Sequence, residues 1–156
     1  MFQKVIFHVP HDGAQFPKEL MRSVCVAPDR FLAYHEKMRD TAARLFAPPE
    51  LGEVISFDVG RLLCDVERFT DGTEPMERFG MGFCYERAFD GTKIKQVDED
   101  LRRQTMRYYA AHHKRLDDAV ADFSGVVHFL GSAQFFARNF DVCPDRAAAR
   151  YLHWVR

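Results

Sequence analysis

The sequence predicts an α/β fold, specifically a three-layer α/β/α sandwich with a mixed central sheet that is incomplete at its C-terminal end. Short apolar runs at residues 4–9 and 126–130 are typical of strands buried on both faces. A long amphipathic pattern over residues 97–123 predicts a helix that packs on such a sheet. The 156 residues fit a single domain, 1–156, with a substantial core.

The composition is that of an ordinary globular protein, with 47% hydrophobic and 29% charged residues. The net charge of -1 gives no reason to expect a nucleic-acid partner. No N-terminal signal pattern and no long apolar run occurs, which predicts a cytoplasmic protein without a membrane partner. The cysteines lack the paired spacing of a zinc ribbon, and Cys64 and Cys84 lie in apolar runs that predict buried free thiols.

The first predicted strand runs directly into a polar turn. Residues 4–9 are followed by Pro10, His11, Asp12 and Gly13. Because proline prevents a regular helix here, His8 and His11 do not form a helical metal-binding pair. A strand that ends in polar groups is typical of a metal or catalytic site. The alternative is a plain turn with one exposed histidine.

A second group of patterns covers residues 29–58. Apolar residues at helical spacing predict a helix over 29–47, which ends at Pro48. Asp40 lies near the middle of this predicted helix, where the alternative to a functional role is a solvated charge. Alternating residues at 53–58 predict a second strand.

Charged residues interrupt the apolar run at residues 60–66, which otherwise predicts a strand. Arg61, Asp65 and Arg68 are costly to bury unless they are paired or bind a charged ligand. One interpretation is a structural ion pair of Asp65 with either arginine. The other is an arginine that binds a substrate carboxylate through its bidentate fork.

The second half predicts a strand at 83–86, a hairpin turn at 90–91, the helix at 97–123 and a last strand at 126–130. His113 borders the apolar face of that helix. It is either a site residue or a histidine at a helix–sheet boundary.

Five segments resemble, in chain order, the motifs of one enzyme family. They are P-H-x-G at residues 10–13, M-x-D at 38–40, S-R-x-x-x-D-x-[NE]-R at 60–68 with Gly60 in place of serine, G-M-G-x-x-Y at 80–85, and Y-Y-x-x-H-H-x-x-L at 108–116. The chain thereby resembles the N-formylglutamate amidohydrolase family of carboxypeptidase-like zinc hydrolases. The resemblance extends over about residues 5–123.

The resemblance implies a metal-dependent amidohydrolase that splits an N-formyl or N-acyl acidic amino acid into the amino acid and formate. His11 and Asp40 match metal-ligand positions, and the implied metal is Zn²⁺, which polarises an amide carbonyl and activates water. Arg61 and Arg68 match the need for cationic partners of a small acidic substrate. His113 matches a family histidine with a metal-site or catalytic role.

The chain departs from the family after about residue 130. The family segment D-x-H-S-F, which supplies a metal-site histidine, aligns with residues 128–136, where the aspartate and histidine are absent at the matching places. This predicts a truncated or altered family member with weak zinc binding and slow or no hydrolysis. The alternative function is therefore an impaired homologue that keeps only an arginine-lined pocket for an acidic ligand.

Overall fold

The computed structural model describes residues 4–121 and 125–130, which form a mixed α/β structure. Its strands are β1 (Lys4–Val9), β2 (Glu53–Ser56) and β3 (Gly125–Phe129). Its helices are α1 (Lys18–Met21), α2 (Pro28–Met38) and α3 (Glu99–Val120), with 3₁₀ turns at Ala43–Phe46 and Glu77–Phe79. Of residues 128–136, which align with D-x-H-S-F, the part after residue 130 lies outside the described residues.

The three strands form one parallel sheet in the order β2-β1-β3. In this register His8 of β1 lies between Ile55 and Phe129. Because parallel strands all end at the same edge, the loop that follows β1 begins where β2 and β3 also end. The strands in the described part of the chain pair only in parallel, so the antiparallel member of a mixed sheet stays a prediction.

Both faces of β1 are covered. On one face, Ile6 and Ile55 pack against Leu116 of α3. On the other, Phe7 and Val9 pack against the segment around Ala43. Burial of both faces explains why the strand is an uninterrupted apolar run, as is typical of parallel sheets.

The sequence located the regular elements of the sheet well. Residues 4–9 form a strand, and the predicted strands at 53–58 and 126–130 appear as the slightly offset β2 and β3. The predicted helix at 97–123 appears as α3, where Asp98 caps the helix by accepting a hydrogen bond from the Leu101 N–H.

The predicted helix at residues 29–47 is wrong beyond Met38. Arg39 is extended, and Ala42 has a positive φ of 64°. The backbone N–H of Asp40 instead donates to the carbonyl of His11 at 3.1 Å. Asp40 is buried rather than solvated, so its interpretation as an exposed helix charge is also wrong.

The predicted strands at 60–66 and 83–86 are wrong as well. Both stretches form turns and bends that lie in the largest apolar cluster, so their apolar runs reflect burial rather than strand pairing. A helix-like turn begins at Gly60, whose carbonyl accepts from Leu63 at 2.8 Å. The predicted hairpin at 90–91 is confirmed by the antiparallel bridge between Arg87 and Lys93.

Cys64 and Cys84 are buried free thiols, as predicted. In the part of the chain that the structure describes, no helix combines the length and apolarity needed to cross a membrane.

Ala42 provides a test of the turn that follows α2. Because its left-handed backbone is costly for alanine, we expect Ala42→Gly to raise the free energy of unfolding by about 0.5–1 kcal/mol. The matched change Ala111→Gly, at an exposed position of α3, should lower it by about 1 kcal/mol. Urea unfolding of both variants measures these effects, and a loss of stability in Ala42→Gly would contradict the left-handed assignment.

Candidate active site at the carboxyl ends of the strands

His11 lies at the carboxyl edge of the sheet and is fully buried. The loop that carries it is fixed by backbone hydrogen bonds on both sides. The Phe57 N–H donates to the carbonyl of Val9 at 3.0 Å, and the Asp40 N–H donates to the carbonyl of His11 at 3.1 Å. The chain therefore brings together the two residues, His11 and Asp40, that the resemblance identifies as metal ligands.

The rest of the P-H-x-G motif shapes the same loop. A Cβ atom on Gly13 would lie 2.4 Å from the carbonyl oxygen of Asp58, so only glycine allows this close backbone approach. The two carboxylate oxygens of Asp12 accept the backbone N–H groups of Ala42 and Arg44, each at 3.1 Å. Asp12 thus holds the turn after α2, and with it the position of Asp40.

Asp65 is the hub of the site. Its Oδ1 accepts hydrogen bonds from Nε2 of His11 at 2.8 Å and from the N–H of Glu67 at 3.0 Å. Its Oδ2 accepts hydrogen bonds from Nε of Arg61 at 2.9 Å and from the hydroxyl of Tyr85 at 3.1 Å. A fully buried carboxylate is thereby satisfied on both oxygens.

The charges around Asp65 decide its ionisation. Burial alone would raise its pKa, but the positive charges of His11, Arg61 and Arg68 outweigh burial and hold the pKa of Asp65 well below its usual range. Asp65 is therefore ionised at neutral pH.

The other ring nitrogen of His11 faces two carboxylates. Its Nδ1 lies 3.4 Å from Oδ2 of Asp40 and 3.6 Å from Oε2 of Glu67. Burial and the charge of Arg61 lower the pKa of His11, but Asp65, Glu67 and Asp40 reverse this and raise it overall. The cluster therefore favours a positive charge at this point, whether on a proton or on a cation.

Arg61 and Arg68 are both buried and both contact Asp65. Arg61 also donates to the carbonyl of Met38 at 3.1 Å, and Arg68 lies 3.7 Å from Glu74. The interpretation as structural ion pairs is confirmed for both arginines. Whether either one also binds a substrate carboxylate stays a prediction.

His113 reaches the site from α3 through the protein backbone. Its Nε2 donates to the carbonyl of Val66 at 2.8 Å, and the hydroxyl of Tyr109 donates to the carbonyl of Arg68 at 2.9 Å. Tyr109 and His113 are one helical turn apart, and their ring centroids are 4.2 Å apart. Together they hold the segment that carries Asp65 against α3.

A second histidine pair lies beside Tyr109 and His113. The Nε2 atoms of His8 and His112 are 2.9 Å apart, their ring centroids 5.1 Å, and their planes differ by 29°. Each ring therefore points its Nε2 at the other, and the N–H of one neutral ring donates a hydrogen bond to the bare nitrogen of its partner. Burial and the charge of His112 lower the pKa of His8, and burial and the charge of His113 lower the pKa of His112 to about 3.

The donor set around His11 fits part of a zinc site. A metal-binding imidazole usually gives its second N–H to a carboxylate, as His11 does to Asp65. The 3.4 Å between its Nδ1 and Asp40 is close to the spacing of about 3.4 Å between ligand atoms on a tetrahedral zinc. Among residues 4–121 and 125–130, however, no three His, Cys, Asp or Glu side chains are arranged to hold a metal ion.

The close packing around Gly60 explains why glycine replaces the serine of the family motif. A Cβ atom there would lie 2.8 Å from Phe16 and 3.0 Å from the ring of His35. Both rings are close-packed against each other, with centroids 5.0 Å apart. The rings of Phe16 and His35 therefore occupy the space that a serine side chain would need.

Asp65, Glu67 and Tyr85 all lie in the quoted motifs, but the sequence did not show that they surround His11 or that Asp65 is their common centre. The signals for Asp65 were its place within an apolar run next to two arginines and its position in the S-R-x-x-x-D-x-[NE]-R motif. Tyr85 is 1% exposed, and its hydroxyl group gave no sign of its partner because Asp65 lies 20 residues away.

A buried imidazole held among carboxylates lies here at the carboxyl edge of a parallel sheet, which is where α/β proteins usually bind their ligands. The sequence profile of the N-formylglutamate amidohydrolase family matches residues 3–130. The chain therefore belongs to the N-formylglutamate amidohydrolase family, as its motifs predicted.

A solved structure supports the fold. The N-formylglutamate amidohydrolase from Ralstonia eutropha JMP134 superposes with a TM-score of 0.61 at 21% identity. The match covers 77% of this chain and 48% of that one, so the chain spans about half the length of this relative. A comparison with curated protein sequences finds no match.

The importance of Asp65 can be tested by an isosteric change. Asp65→Asn removes the charge that buried Arg61 and Arg68 require, and we expect a loss of about 3–5 kcal/mol in the free energy of unfolding. Denaturant titration measures this loss. The control Asp118→Asn, in an exposed pair with Lys114, should change it by less than about 1 kcal/mol. If Asp65→Asn changed the free energy of unfolding by less than about 1 kcal/mol, Asp65 would not be the residue that stabilises the two buried arginines.

The pair of His8 and His112 makes stability depend on pH. Both rings are neutral in the fold, whereas the unfolded chain protonates them below their ordinary pKa of 6.5. Their contribution is fully present above pH 6.5 and is lost as the pH falls towards about 3. We expect the double variant His8→Leu, His112→Leu to lose less stability than the wild type between pH 6.5 and 4. Equal losses in urea titrations would contradict a neutral pair.

Proposed function

We propose that this chain is an N-formylglutamate amidohydrolase-like hydrolase that depends on a divalent metal, zinc, held by His11 and Asp40. The substrate is a small N-formyl or N-acyl acidic amino acid, which is split into the amino acid and formate. The observation that carries the proposal is the orientation of His11. Its Nε2 is committed to Asp65 at 2.8 Å, so its Nδ1 is the atom directed towards Asp40.

Each residue of the site has a definite part in this proposal. Zinc, when bound, would polarise the amide carbonyl and lower the pKa of a water molecule. Asp65 keeps the ring of His11 in the orientation and tautomer that leave Nδ1 as a ligand. His113 and Tyr109 hold the backbone around Asp65 from α3.

Arg61 and Arg68 supply the positive charge that an acidic substrate requires. Burial favours a strong, directional interaction with a carboxylate, because few water molecules compete for the guanidinium N–H groups. Their existing ion pairs with Asp65 fix the direction in which each guanidinium points. In the alternative function, these arginines bind an acidic ligand without hydrolysis.

The wider setting is part of the same proposal. We expect the parallel sheet to belong to a three-layer α/β/α sandwich, because an apolar cluster covers each face of β1. The two buried free thiols fit a reducing compartment such as the cytoplasm.

Metal binding and hydrolysis can be measured on the same preparations. Equilibrium dialysis against zinc and formate release from N-formyl-L-glutamate should both be positive for the wild type. We expect Asp40→Asn to weaken zinc binding by about tenfold or more and to abolish formate release. Asp58→Asn, a change of the same type at an exposed aspartate, should leave both unchanged.

The outcomes separate the two functions. Zinc binding that Asp40→Asn does not weaken would contradict the assigned ligands. Binding of N-formyl-L-glutamate without formate release, lost in Arg61→Gln, would favour the alternative of an impaired acidic-ligand domain.

A further inference from the structure

Lys95 lies in an unusual position for a lysine. Its side chain is fully buried. Its amine donates to the carbonyl of Leu63 at 3.2 Å and contacts Sγ of Cys84 at 3.8 Å. Within the described residues no carboxylate pairs with this amine. Burial lowers the pKa of Lys95, so the neutral amine, which is a nucleophile, is favoured relative to an exposed lysine.

Two thiols share this space. Sγ of Cys84 lies 3.5 Å from the hydroxyl of Thr105, and Sγ of Cys64 lies 3.8 Å from the carbonyl of the same threonine. A peroxide oxidises a thiol sulfur to a sulfenic acid, which can then react with a nucleophile that lies beside it. Cys84 is the thiol that the amine contacts, so it is the reactive partner in this cluster.

The contact lies at the base of a loop that reaches the candidate active site. Residues 84–95 form a loop that is closed by the antiparallel bridge between Arg87 and Lys93, and both of its ends, Cys84 and Lys95, are buried. Tyr85, the second residue of this loop, donates its hydroxyl to Asp65. A covalent link between Cys84 and Lys95 would close the loop and restrict the position of Tyr85.

We propose that Cys84 and Lys95 form an oxidation-dependent covalent bridge in which one oxygen atom joins Sγ of Cys84 to Nζ of Lys95. The oxidant is a peroxide. In the first step Sγ attacks one peroxide oxygen, the O–O bond breaks, and a sulfenic acid and one water form. In the second step the sulfenic acid, the amine and a second peroxide give the S–O–N bridge and two waters. Sulfur and nitrogen each lose two electrons, one pair to each peroxide.

The bridge is a reversible link and is independent of hydrolysis by this chain. Thiol reductants supply four electrons and return the free thiol and the amine, with one water released. The bridge requires Nζ of Lys95 and Sγ of Cys84 to move closer than their present 3.8 Å, which the flexible lysine side chain allows.

Peptide mass spectrometry of the peroxide-treated wild type tests this directly. We expect the peptides that contain Cys84 and Lys95 to be joined, with a mass gain of one oxygen less two hydrogens. Trypsin should no longer cleave after Lys95, and dithiothreitol should restore both separate peptides. The result that would overturn the proposal is oxidation of Cys84 to a sulfenic or sulfinic acid, or to a disulfide with Cys64, with Lys95 unmodified. No reaction at Cys84 would overturn it equally.

Matched variants show which side chains are required. Cys64→Ser should keep the joined peptides, whereas Cys84→Ser and Lys95→Met should each abolish them. Persistence of the mass change in Lys95→Met would contradict the amine as partner. The decisive measurement is made on the wild-type chain, so the proposal can be overturned even if a variant fails to fold.

Discussion

The structure depends on one fully buried carboxylate. Asp65 accepts hydrogen bonds from the imidazole of His11, the guanidinium of Arg61 and the hydroxyl of Tyr85, which reach it from three separate segments of the chain. A carboxylate in this setting would be costly to bury alone, and so would each of its cationic partners. Together they are satisfied, and this mutual requirement fixes the geometry of the edge of the sheet.

Helix α3 holds the segment that carries Asp65 in place. Tyr109 and His113 of α3 donate to the carbonyls of Arg68 and Val66, which hold the segment around Asp65 against the long helix. The pair of His8 and His112 joins the central strand to the same helix one residue away from His113. The helix therefore connects the apolar sheet to the polar site through three separate polar contacts.

The sequence was sufficient for the regular elements. Strand β1 and helix α3 have long, consistent patterns, and their predicted positions are confirmed. The sequence was insufficient where polar contacts between distant residues override the local preference for a helix or strand. The helix predicted through residue 47 ends at Met38 because Asp40 bonds to the backbone of His11, a partner that lies 29 residues earlier. The run at residues 60–66 was interpreted as a strand because burial and strand pairing give the same apolar signal.

The candidate site was predictable only in part. Motif resemblance identified His11 and Asp40, which lie together, and His113, which bonds to the backbone carbonyl of Val66. The hub itself could not be found from spacing, since the partners of Asp65 span residues 11 to 85 and depend on tertiary packing. The burial of Lys95 beside Cys84 likewise gave no sequence signal.

Asp65 orients His11 so that Nδ1, and not Nε2, faces Asp40, and we propose Nδ1 as the metal-binding atom. Two-dimensional ¹H–¹⁵N NMR of the histidine side chains, with and without one equivalent of zinc, measures this most directly. We predict that Nε2 of His11 stays protonated and that zinc shifts its Nδ1 resonance. Zinc bound through Nε2, or a His11 ring whose nitrogens do not respond to zinc, would contradict the account.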